Sequence, residues 1–599
     1  MFSKVLIANR GEIAVRIART CHDLGIEVIA VHSDVDSSAR HVAVADHAIH
    51  LPGVSPVETY LNVGAIVGAA RNAGAEAVHP GYGFLSERAD VATAVAQAGM
   101  VWVGPPPEAL EASGDKLQAR KLAESAGVAA VPGTLEPVSG SEAALAFGEE
   151  HGYPIAIKAA GGGGGRGLKV AASADEVAAA LESAAREAKA YFGFGDVYLE
   201  RYLPRPKHIE VQILASSDGK ALWLGARDCS LQRRHQKLVE ETPPPKFRDV
   251  TPAMGEAAVA VANGCGYVNA GTVEFLVDED GRFYFLEINA RLQVEHTITE
   301  EVTGLDLVAC QLKIAAAEGM GFVASDLTDD GRFAPRGHAI ECRINAEDPS
   351  RKFMPKPGRI ERYREPAGPG VRVDSGFGEG DEISPAYDSL IAKLIVWGPD
   401  REVARKRMLR ALGEFEIEGI PTTIPAHQAL LQHDEFVDGS YSTRTVEGGA
   451  LDSLMARTVS RRTDTTTPAA TATSRPAAAV TDPKARLWHP AIAPAILGAQ
   501  VPATTGRARP GDPSANQVTR PVGPEAGAVV APMHGTLLKL LLAEGDRVEA
   551  GDPVAVLEAM KMETQLAAPR AGVVREIHAQ PGSTVEAGQA VAVIALDGE

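Results

Sequence analysis

Apolar runs and amphipathic segments alternate along the first part of the chain. KVLI, at residues 4–7, predicts a buried strand, and a turn at Asn9-Arg10-Gly11 leads into an amphipathic helix in GEIAVRIART. IEVIAVHS and AEAVHPGYGFLSE predict two further strands, the second of which ends at Pro80-Gly81. Because strands that alternate with helices are typical of doubly wound parallel sheets, we predict such a sheet for residues 1–114.

Hairpin patterns follow. The runs YPIAIKAA and GLKVAA flank five consecutive glycines, and FLVDEDGRFYFLEIN predicts a β-hairpin that turns at Asp280-Gly281. We assign residues 115–329 to one α+β domain with a lid at about 133–204, and residues 330–446 to a third, mixed domain.

Composition changes sharply beyond this point. Residues 447–525 are rich in Pro, Ala, Thr and Gly without a sustained period, which predicts a linker; ARLWHPAIAPAIL within it is apolar enough for a short docking segment. Residues 526–599 contain an internal repeat, in which GDRVEAGDPVAVL from Gly545 matches GSTVEAGQAVAVI from Gly582 at an offset of 37 residues. Two such halves of short Val-rich strands predict a flattened, quasi-symmetric, all-β barrel.

The segment EAMKMET lies where the first half of this repeat passes into the second. A hairpin there would place Lys561 at an exposed tip, between Met560 and Met562. Taken alone, the lysine could equally be a solvated turn residue. A lone lysine at the tip of a rigid domain behind a linker indicates an attachment point.

Composition and charge narrow the class of protein. The formal net charge of -19 argues against a nucleic-acid binder, and 45% apolar residues are ample for large cores. The five cysteines are widely spaced without a CxxC, which excludes a full disulfide framework and a recognisable zinc site, and suits a reducing compartment. The chain has no signal-peptide pattern and no apolar run of about 18 residues, so we expect a cytoplasmic protein without membrane spans.

The glycine run in IKAAGGGGGRGLKV is a candidate phosphate-binding loop and lid. Glycines such as Gly163, Gly164 and Gly165 let backbone amides approach a phosphate closely, and Lys158 lies on the preceding strand. The pattern matches neither a Walker A loop nor a Rossmann fingerprint, and by itself it could be a flexible loop.

Acidic residues interrupt two apolar strands. Glu274 lies in GTVEFL, and Glu287 and Asn289 are two residues apart in FLEIN, so these last two face the same side of one strand. Acids placed on one face of apolar strands predict a Mg²⁺ site for nucleotide phosphates, although surface acids on an edge strand would give the same pattern. The alternation continues with a cation, an amide and a potential base, which are Arg291, Gln293 and Glu295.

Together these motifs resemble biotin carboxylase, the ATP-grasp enzyme of biotin-dependent carboxylases. The resemblance covers residues 1–446 and is carried by ANRGEIAVR, HPGYGFLSE, GDK, IKAAGGGGGRG, RDCSLQRRHQK, EINARLQVEH and ECRINAED. The C-terminal domain is similar to biotin carboxyl carrier domains, whose attachment motif is AMKM. The whole resembles the alpha subunit of an acyl-CoA carboxylase, with residues 115–329 as its ATP-grasp domain.

The resemblance implies roles for individual residues. Those expected around ATP are Lys116, Lys158, Gly163, Gly164, Gly165, Glu200, Leu203 (through its backbone), His208, Gln232 and His235. The expected metal ligands are Glu274, Glu287 and Asn289, and the expected bicarbonate contacts are Arg291, Gln293 and the backbone of Val294. The expected catalytic residues are Glu295 as the base, Arg343 against negative charge on biotin, Arg291 and Lys237. Lys561 would carry the biotin.

The implied reaction has two steps. Bicarbonate attacks the γ-phosphate of ATP, held with Mg²⁺ or Mn²⁺, to give carboxyphosphate, and the CO₂ released from it carboxylates biotin. The implied partners are a separate carboxyltransferase beta subunit that works on an acyl-CoA of the acetyl or propionyl class, a biotin protein ligase, and a second copy of the biotin carboxylase part within a larger hetero-oligomer. No nucleic acid or membrane is expected.

Three alternatives stay open at this point: a lipoyl carrier fused to an unrelated ligase, a pure carrier protein, and a carboxylase of the pyruvate type with a separate partner chain. The chain also departs from the family in three places, one of which is the end of the glycine loop, where RGL stands and RGM is common. Thr297 stands where the family usually has proline, and residues 447–525 show no strand pattern long enough for the folded partner-binding domain that alpha subunits often carry there.

Overall fold

In the computed structural model of the protein, the described residues are 1–114, 116–134, 136–138, 140–159, 168–192, 197–234, 236–322, 333–452, 527–531, 535–559, 562–585 and 588–595. The chain divides into two compact units, Met1–Val459 and Ser460–Glu599, and each is described by itself.

The first unit begins with a parallel sheet. Its strands are β1 (Lys4–Ile7), β2 (Glu27–His32), β3 (His47–His50), β4 (Ala77–His79) and β5 (Val101–Trp102), and the connecting helices are α1 (Gly11–Asp23), α2 (Arg40–Ala43), α3 (Val63–Asn72), α4 (Ala89–Gln97) and α5 (Pro107–Gly114). The strand order is β3-β2-β1-β4-β5 with parallel pairing throughout, which confirms the predicted sheet.

The loops after β1 and β4 meet at the carboxyl edge of this sheet, because the strand order reverses beside β1. The side-chain amide of Asn9 donates to the carbonyl of Pro80 at 2.7 Å across the junction. Helix α1 follows the first of these loops, and its apolar residues recur with helical spacing, so that one face is buried in the core: Ile13, Ala14, Ile17, Ala18 and Cys21.

The rest of the first unit is built around a larger antiparallel sheet. The further helices are α6 (Lys116–Ser125), α7 (Ser141–His151), α8 (Ala174–Phe192), α9 (Thr251–Gly264), α10 (His296–Thr303), α11 (Leu307–Ala315), α12 (Arg401–Glu414), α13 (Ile424–Leu430) and α14 (Asp434–Val437). The further strands are β6 (Ile155–Ala159), β7 (Leu168–Ala171), β8 (Val197–Arg201), β9 (Lys207–Ala215), β10 (Ala221–Arg233), β11 (Gln236–Thr242), β12 (Asn269–Val277), β13 (Phe283–Asn289), β14 (His338–Asn345), β15 (Glu347–Asp348), β16 (Met354–Pro355), β17 (Gly358–Arg359), β18 (Arg362–Arg364), β19 (Val371–Ser375), β20 (Glu382–Ile383), β21 (Leu390–Gly398) and β22 (Glu416–Glu418).

Eight of these strands form one sheet in the order β13-β12-β9-β10-β11-β14-β21-β19. The sheet crosses the predicted domain boundary at residues 329 and 330, because β14 pairs with β11. The strands on either side of the glycine run form a separate sheet in the order β7-β6-β8. The large sheet therefore brings residues from 207 to 398 onto one continuous framework.

Glu241, near the end of β11, connects this strand to β14, to the start of α12 and to the segment after α14. Its carboxylate is buried and accepts hydrogen bonds from His338 Nε2 at 2.7 Å, Arg401 Nε at 2.7 Å and Tyr441 Oη at 2.6 Å. Burial by itself would raise the pKa of Glu241, but His338 and Arg401 outweigh this effect and lower the pKa to about 2.

We expect Glu241→Gln to destabilise the first unit by about 3–5 kcal/mol at neutral pH, because the change leaves the largely buried guanidinium of Arg401 without its counter-charge. A lowered carboxyl pKa stabilises the fold above the usual value of 4.5, and this contribution is lost as the pH falls toward about 2. The difference in Tm between wild type and variant should therefore be constant above pH 4.5 and narrow below it.

Glu402→Gln is the control. The Glu402 side chain is half exposed and pairs with Arg405, so loss of this ion pair should lower the free energy of unfolding by roughly 0–1 kcal/mol. A Glu241→Gln cost as small as the control's would contradict the expectation.

The second unit contains only strands among its described residues. They are β23 (Ala528–Val530), β24 (Gly535–Leu540), β25 (Arg547–Val548), β26 (Pro553–Ala559), β27 (Met562–Ala567), β28 (Gly572–Ile577), β29 (Thr584–Val585) and β30 (Ala590–Ala595). Two four-stranded sheets, β23-β30-β28-β25 and β27-β26-β24-β29, enclose a Val/Ala/Leu core. Strands β24, β25 and β26 recur 37 residues later as β28, β29 and β30, which confirms the predicted all-β barrel.

The predicted attachment segment lies between β26 and β27. These strands pair with Ala559 opposite Met562, and Met560 and Lys561 lie outside the described residues. The position of Lys561 at a tip therefore stays a prediction.

Among the described residues, no helix combines the length and the apolar character needed to cross a membrane. The five cysteines are free thiols, and all except Cys265 are buried.

Candidate active site

The predicted metal ligands lie on one face of the β12–β13 hairpin. Glu274 is directly opposite Glu287, and Thr272 is opposite Asn289. Because residues that face each other in an antiparallel pair project to the same side, all the predicted ligands share one face. The side-chain amide of Asn289 donates to Glu274 Oε1 at 2.9 Å, which brings the ends of the two side chains together.

Lys237, on β11, contacts three carboxylates of the site. Its Nζ is 2.6 Å from Glu210 Oε2, 3.1 Å from Glu274 Oε1 and 2.6 Å from Glu295 Oε1. Burial alone would lower the pKa of Lys237, but the three carboxylates outweigh it and raise the pKa well above its usual value. The ammonium is therefore charged at neutral pH and connects the predicted metal face to the predicted base.

Glu295 is completely buried at the N-terminal end of α10. One carboxylate oxygen accepts from Lys237, and the other accepts from Arg343 Nη2 at 2.8 Å. Burial by itself would raise the pKa of Glu295, but Lys237 and Arg343 offset this effect and hold the pKa well below its usual range. Glu295 is thus ionised at neutral pH, which is the state that can accept a proton.

The irregular segment 291–295 joins the two parts of the site. Arg291 donates to Asn289 Oδ1 at 2.8 Å and to Gln293 Oε1 at 2.9 Å, while its Nε is 2.9 Å from Glu87 Oε2. The amide of Gln293 donates to Glu274 Oε1 at 3.3 Å. The structure therefore brings together Arg291, Gln293 and the predicted metal ligand Glu274, and it places the carbonyl of Val294 2.9 Å from Lys393 Nζ.

The predicted nucleotide residues are partly described. Lys158 of β6 and Glu200 of β8 form an ion pair, so Glu200 contacts a lysine in this structure. Leu203 and Gln232 are buried, and His208 Nε2 lies 2.8 Å from Glu274 Oε2. The side chain of Lys116 and all of Gly163, Gly164, Gly165, His235 and Lys561 lie outside the described residues.

Three charged residues beside the site, Glu210, Arg227 and Glu240, were missed by the sequence analysis. Arg227 of β10 is fully buried and donates to Glu210 Oε1 at 2.5 Å, and Arg343 Nε donates to Glu240 Oε1 at 2.6 Å. Burial raises the pKa of Glu240 to about 7, against the opposing effect of Arg343. Glu210 and Arg227 are charges among the apolar residues of β9 and β10, and that pattern was the available signal; β11 around Glu240 is mostly polar and gave none.

Thr297 also has a partner that the sequence did not indicate. Its hydroxyl donates to the carboxylate of Glu341, whose pKa is raised well above the usual range by burial. A proline at this position could not make this contact, because it has no hydroxyl group.

The Glu274–Glu287–Asn289 face offers two carboxylates and an amide oxygen, which are the kinds of ligand that Mg²⁺ prefers. Among the described residues, two further groups have ligand atoms that lie within 4.8 Å of one another inside each group. They are His208, Glu210 and Glu274, and Glu210, Cys229 and Glu295. The Lys237 ammonium contacts Glu210, Glu274 and Glu295, so it lies against both groups and against the predicted metal face. The thiol of Cys229 is in addition a soft ligand, whereas Mg²⁺ prefers oxygen ligands.

Comparison with known proteins agrees with this architecture. Family models match in succession along the chain: "Biotin carboxylase, N-terminal domain" at residues 1–110, "Carbamoyl-phosphate synthase L chain, ATP binding domain" at 115–322, "Biotin carboxylase C-terminal domain" at 341–448 and "Biotin-requiring enzyme" at 527–594.

Individual relatives match over long stretches. A biotin-dependent acyl-coenzyme A carboxylase alpha3 subunit from Mycobacterium leprae is 43% identical over 597 residues, which cover 96% of this chain and 95% of the relative. A biotin carboxylase from a Nostoc species is 50% identical over 447 residues, which cover 74% and 99% of the two chains.

Solved structures of biotin carboxylases also match this chain. The biotin carboxylase domain dimer of Hydrogenobacter thermophilus 2-oxoglutarate carboxylase, in complex with MgADP, ADP and bicarbonate, matches with a TM-score of 0.67 at 45% identity, covering 75% of this chain and 98% of that one. A biotin carboxylase from Campylobacter jejuni matches with a TM-score of 0.67 at 41% identity, covering 75% and 99% of the two chains. On these grounds the resemblance is confirmed, and the chain belongs to the family of biotin-dependent acyl-CoA carboxylase alpha subunits, ligases in which a biotin carboxylase and a biotin carrier domain share one polypeptide.

Proposed function

We propose that this chain uses ATP and bicarbonate to carboxylate biotin carried on its own Lys561, and that it supplies the carboxyl group to a separate carboxyltransferase beta subunit whose acceptor is an acyl-CoA of the acetyl or propionyl class. The observation that carries the proposal is the buried Glu295 carboxylate between Lys237 and Arg343, next to the acidic face of β12 and β13.

In the first step, Glu295 takes the proton of bicarbonate while a bicarbonate oxygen attacks the γ-phosphorus of ATP and the bond to ADP breaks. Arg291 and Gln293, which contact each other at 2.9 Å, hold bicarbonate together with the backbone of Val294. The contact with Lys237 keeps Glu295 ionised but weakens it as a base. We therefore expect the phosphates of ATP to draw Lys237 away from Glu295 when the nucleotide binds.

ATP is held on the nucleotide side by Lys116, Lys158, His208, Gln232 and His235, with Glu200 and the backbone of Leu203 at the adenine, and Gly163, Gly164 and Gly165 close over the phosphates. Mg²⁺ or Mn²⁺, held by Glu274, Glu287 and Asn289, supplies positive charge against the β- and γ-phosphates when it is bound. Lys158 pairs with Glu200 in this structure, and adenine would compete for that carboxylate.

In the second step, carboxyphosphate breaks into CO₂ and phosphate, the released phosphate takes the proton of the N1′ nitrogen of biotin, and N1′ forms a bond to CO₂. Arg343 offsets the negative charge that develops on the ureido group. This guanidinium lies 2.8 Å from the Glu295 carboxylate, so the base and the charge-stabilising group act on the same small volume. Closure of the glycine lid would exclude water that hydrolyses carboxyphosphate.

The fused carrier favours an acyl-CoA acceptor, because the acyl-CoA carboxylase alpha3 subunit matches 96% of this chain, carrier included. A pyruvate carboxylase component from Methanothermobacter thermautotrophicus is 48% identical but matches only 75% of this chain. We further propose that the biotin carboxylase part forms a homodimer within a larger hetero-oligomer in the cytoplasm, and that a biotin protein ligase modifies Lys561.

Mass spectrometry of the full chain tests the attachment site. Chain purified from cells with an active biotin ligase should carry one biotin, on the peptide that contains Met560 and Met562, because the proposed motif is the only AMKM in the sequence. Lys561→Arg should abolish the modification. Lys539→Arg, a change on β24 of the same unit, should leave it intact. Unmodified Lys561 in the wild-type chain would contradict the proposal that Lys561 carries the biotin.

A further inference from the structure

Lys393 is a completely buried cation in the middle of the apolar strand β21, whose neighbouring side chains Ala392 and Leu394 are equally buried. Its Nζ donates to the carbonyl of Val294 at 2.9 Å and lies 3.2 Å from Glu12 Oε1. A buried ion pair is weak evidence for a stabilising role, because the desolvation of both ions offsets their attraction. The pair therefore calls for another explanation.

The contacts of Lys393 join three parts of the first unit. Glu12 comes from the first turn of α1 and also accepts the hydroxyl of Tyr82, Val294 belongs to the segment that ends at Glu295, and Lys393 is contributed by β21. The junction is tight: a Cβ added at Gly376 would lie 2.6 Å from the backbone nitrogen of Glu12. The ammonium is therefore held at a fixed place relative to segment 291–295.

The carbonyl that Lys393 holds belongs to the peptide that joins Val294 to Glu295. Because this peptide is planar, fixing its carbonyl fixes the path of the backbone into Glu295. Segment 291–295 belongs to no strand, and its end joins α10 through hydrogen bonds from the backbone of His296 to the Gln293 carbonyl and from that of Ile298 to the Glu295 carbonyl, both at 3.3 Å. A side-chain contact to the Val294 carbonyl between them adds a further anchor. Lys393 supplies such an anchor directly beside the proposed base.

Strand β14, which neighbours β21, holds the side chain of Glu295. Arg343 of β14 is directly opposite Lys393 of β21. Arg343 binds the Glu295 carboxylate at 2.8 Å, and Lys393 binds the backbone of the preceding residue. Two adjacent strands thus fix the side chain and the backbone of Glu295 together.

We propose that Lys393 is a positioning residue for carboxyphosphate formation, which acts by holding the Val294 carbonyl and so aligning the bicarbonate segment with Glu295. The inference rests on the proposed roles of Val294 and Glu295. It predicts that loss of the ammonium affects the use of bicarbonate more than the use of ATP, because the nucleotide residues lie on other elements.

The test is steady-state ATP cleavage by the full chain with bicarbonate and ATP varied separately. In Lys393→Met, we expect the KM for bicarbonate to rise, or kcat to fall, by about tenfold or more, as befits loss of a charge-assisted hydrogen bond, while the KM for ATP is unchanged. Lys406→Met, the same change at an exposed site on α12, is the control and should alter neither constant.

Lys393→Met leaves Glu12 as a buried, unpaired carboxylate, so it should also lower Tm. The double variant Glu12→Gln/Lys393→Met removes both charges and should recover Tm, yet keep the bicarbonate defect, because the Val294 carbonyl still lacks its donor. Return of the bicarbonate constants to wild-type values in the double variant would show a purely structural role and overturn the inference. Absence of bicarbonate-dependent ATP cleavage in the wild type would instead overturn the proposed function itself.

Discussion

Replacement of Glu295 by glutamine is expected to lower bicarbonate-dependent ATP cleavage by about 10²-fold or more, while ATP binding is retained. The carboxamide keeps the shape of the side chain but cannot accept the bicarbonate proton. The ion pair of Lys158 with Glu200, on the nucleotide side, involves neither Glu295 nor its partners. ADP release at saturating bicarbonate measures the rate, and calorimetric titration with a nucleotide measures the binding.

The variant should fold, because each cation around Glu295 keeps another carboxylate. Lys237 retains Glu210 at 2.6 Å, and Arg343 retains Glu240 at 2.6 Å. Glu414→Gln, which makes the same chemical change at an exposed site on α12, is the matched control and should leave the rate unchanged. A near-normal rate of bicarbonate-dependent ATP cleavage in Glu295→Gln would remove Glu295 from the role of base.

The carrier barrel shows how much of this fold the sequence alone could predict. An offset of 37 residues in the sequence reappears as the spacing of β24 from β28 and of β26 from β30. The shared face of Glu287 and Asn289 follows in the same way from the two-residue period of a strand. Both predictions depend only on patterns within short segments, and such patterns are visible before any tertiary contact is known.

The contacts of Glu295 could not be predicted in this way. Lys237 is 58 residues away along the chain and Arg343 is 48 residues away, and it was the resemblance to biotin carboxylases that indicated both. The sequence marks Lys393 and Arg227 only as charges within apolar strands. Arg227 meets Glu210 through the register of β10 with β9, and Lys393 meets Glu12 of α1 and the carbonyl of Val294, so the partners of both depend on contacts that are distant in sequence.

The purified chain is expected to cleave ATP with bicarbonate and to carboxylate biotin, yet to transfer no carboxyl group to acetyl- or propionyl-CoA until a second subunit is added. A carboxyltransferase must bind the CoA ester, stabilise its enolate in an oxyanion hole and accept the carboxyl group from biotin, which takes a folded domain of about 100 residues or more. In this chain, the family models of the two biotin carboxylase domains and of the ATP-binding domain match residues 1–110, 341–448 and 115–322, and the biotin-requiring model matches residues 527–594. The intervening segment is shorter than such a domain and rich in Pro, Ala and Thr.

Reconstitution with and without the partner separates the two half-reactions. Lys561→Arg should still carboxylate free biotin weakly, because Glu295 and the ATP side are intact, and should fail in the reconstituted complex, where the carboxyl group must travel on the carrier. Assays with acetyl-CoA, propionyl-CoA and pyruvate, each with labelled bicarbonate, then identify the acceptor. If only the pyruvate assay gave a labelled product, the proposed acyl-CoA acceptor would be wrong and the complex would be a 2-oxo acid carboxylase. Labelled acyl-CoA formed by the highly purified single chain would refute the division of labour, because the acceptor site would then have to lie within the residues assigned to biotin carboxylation, the linker or the carrier.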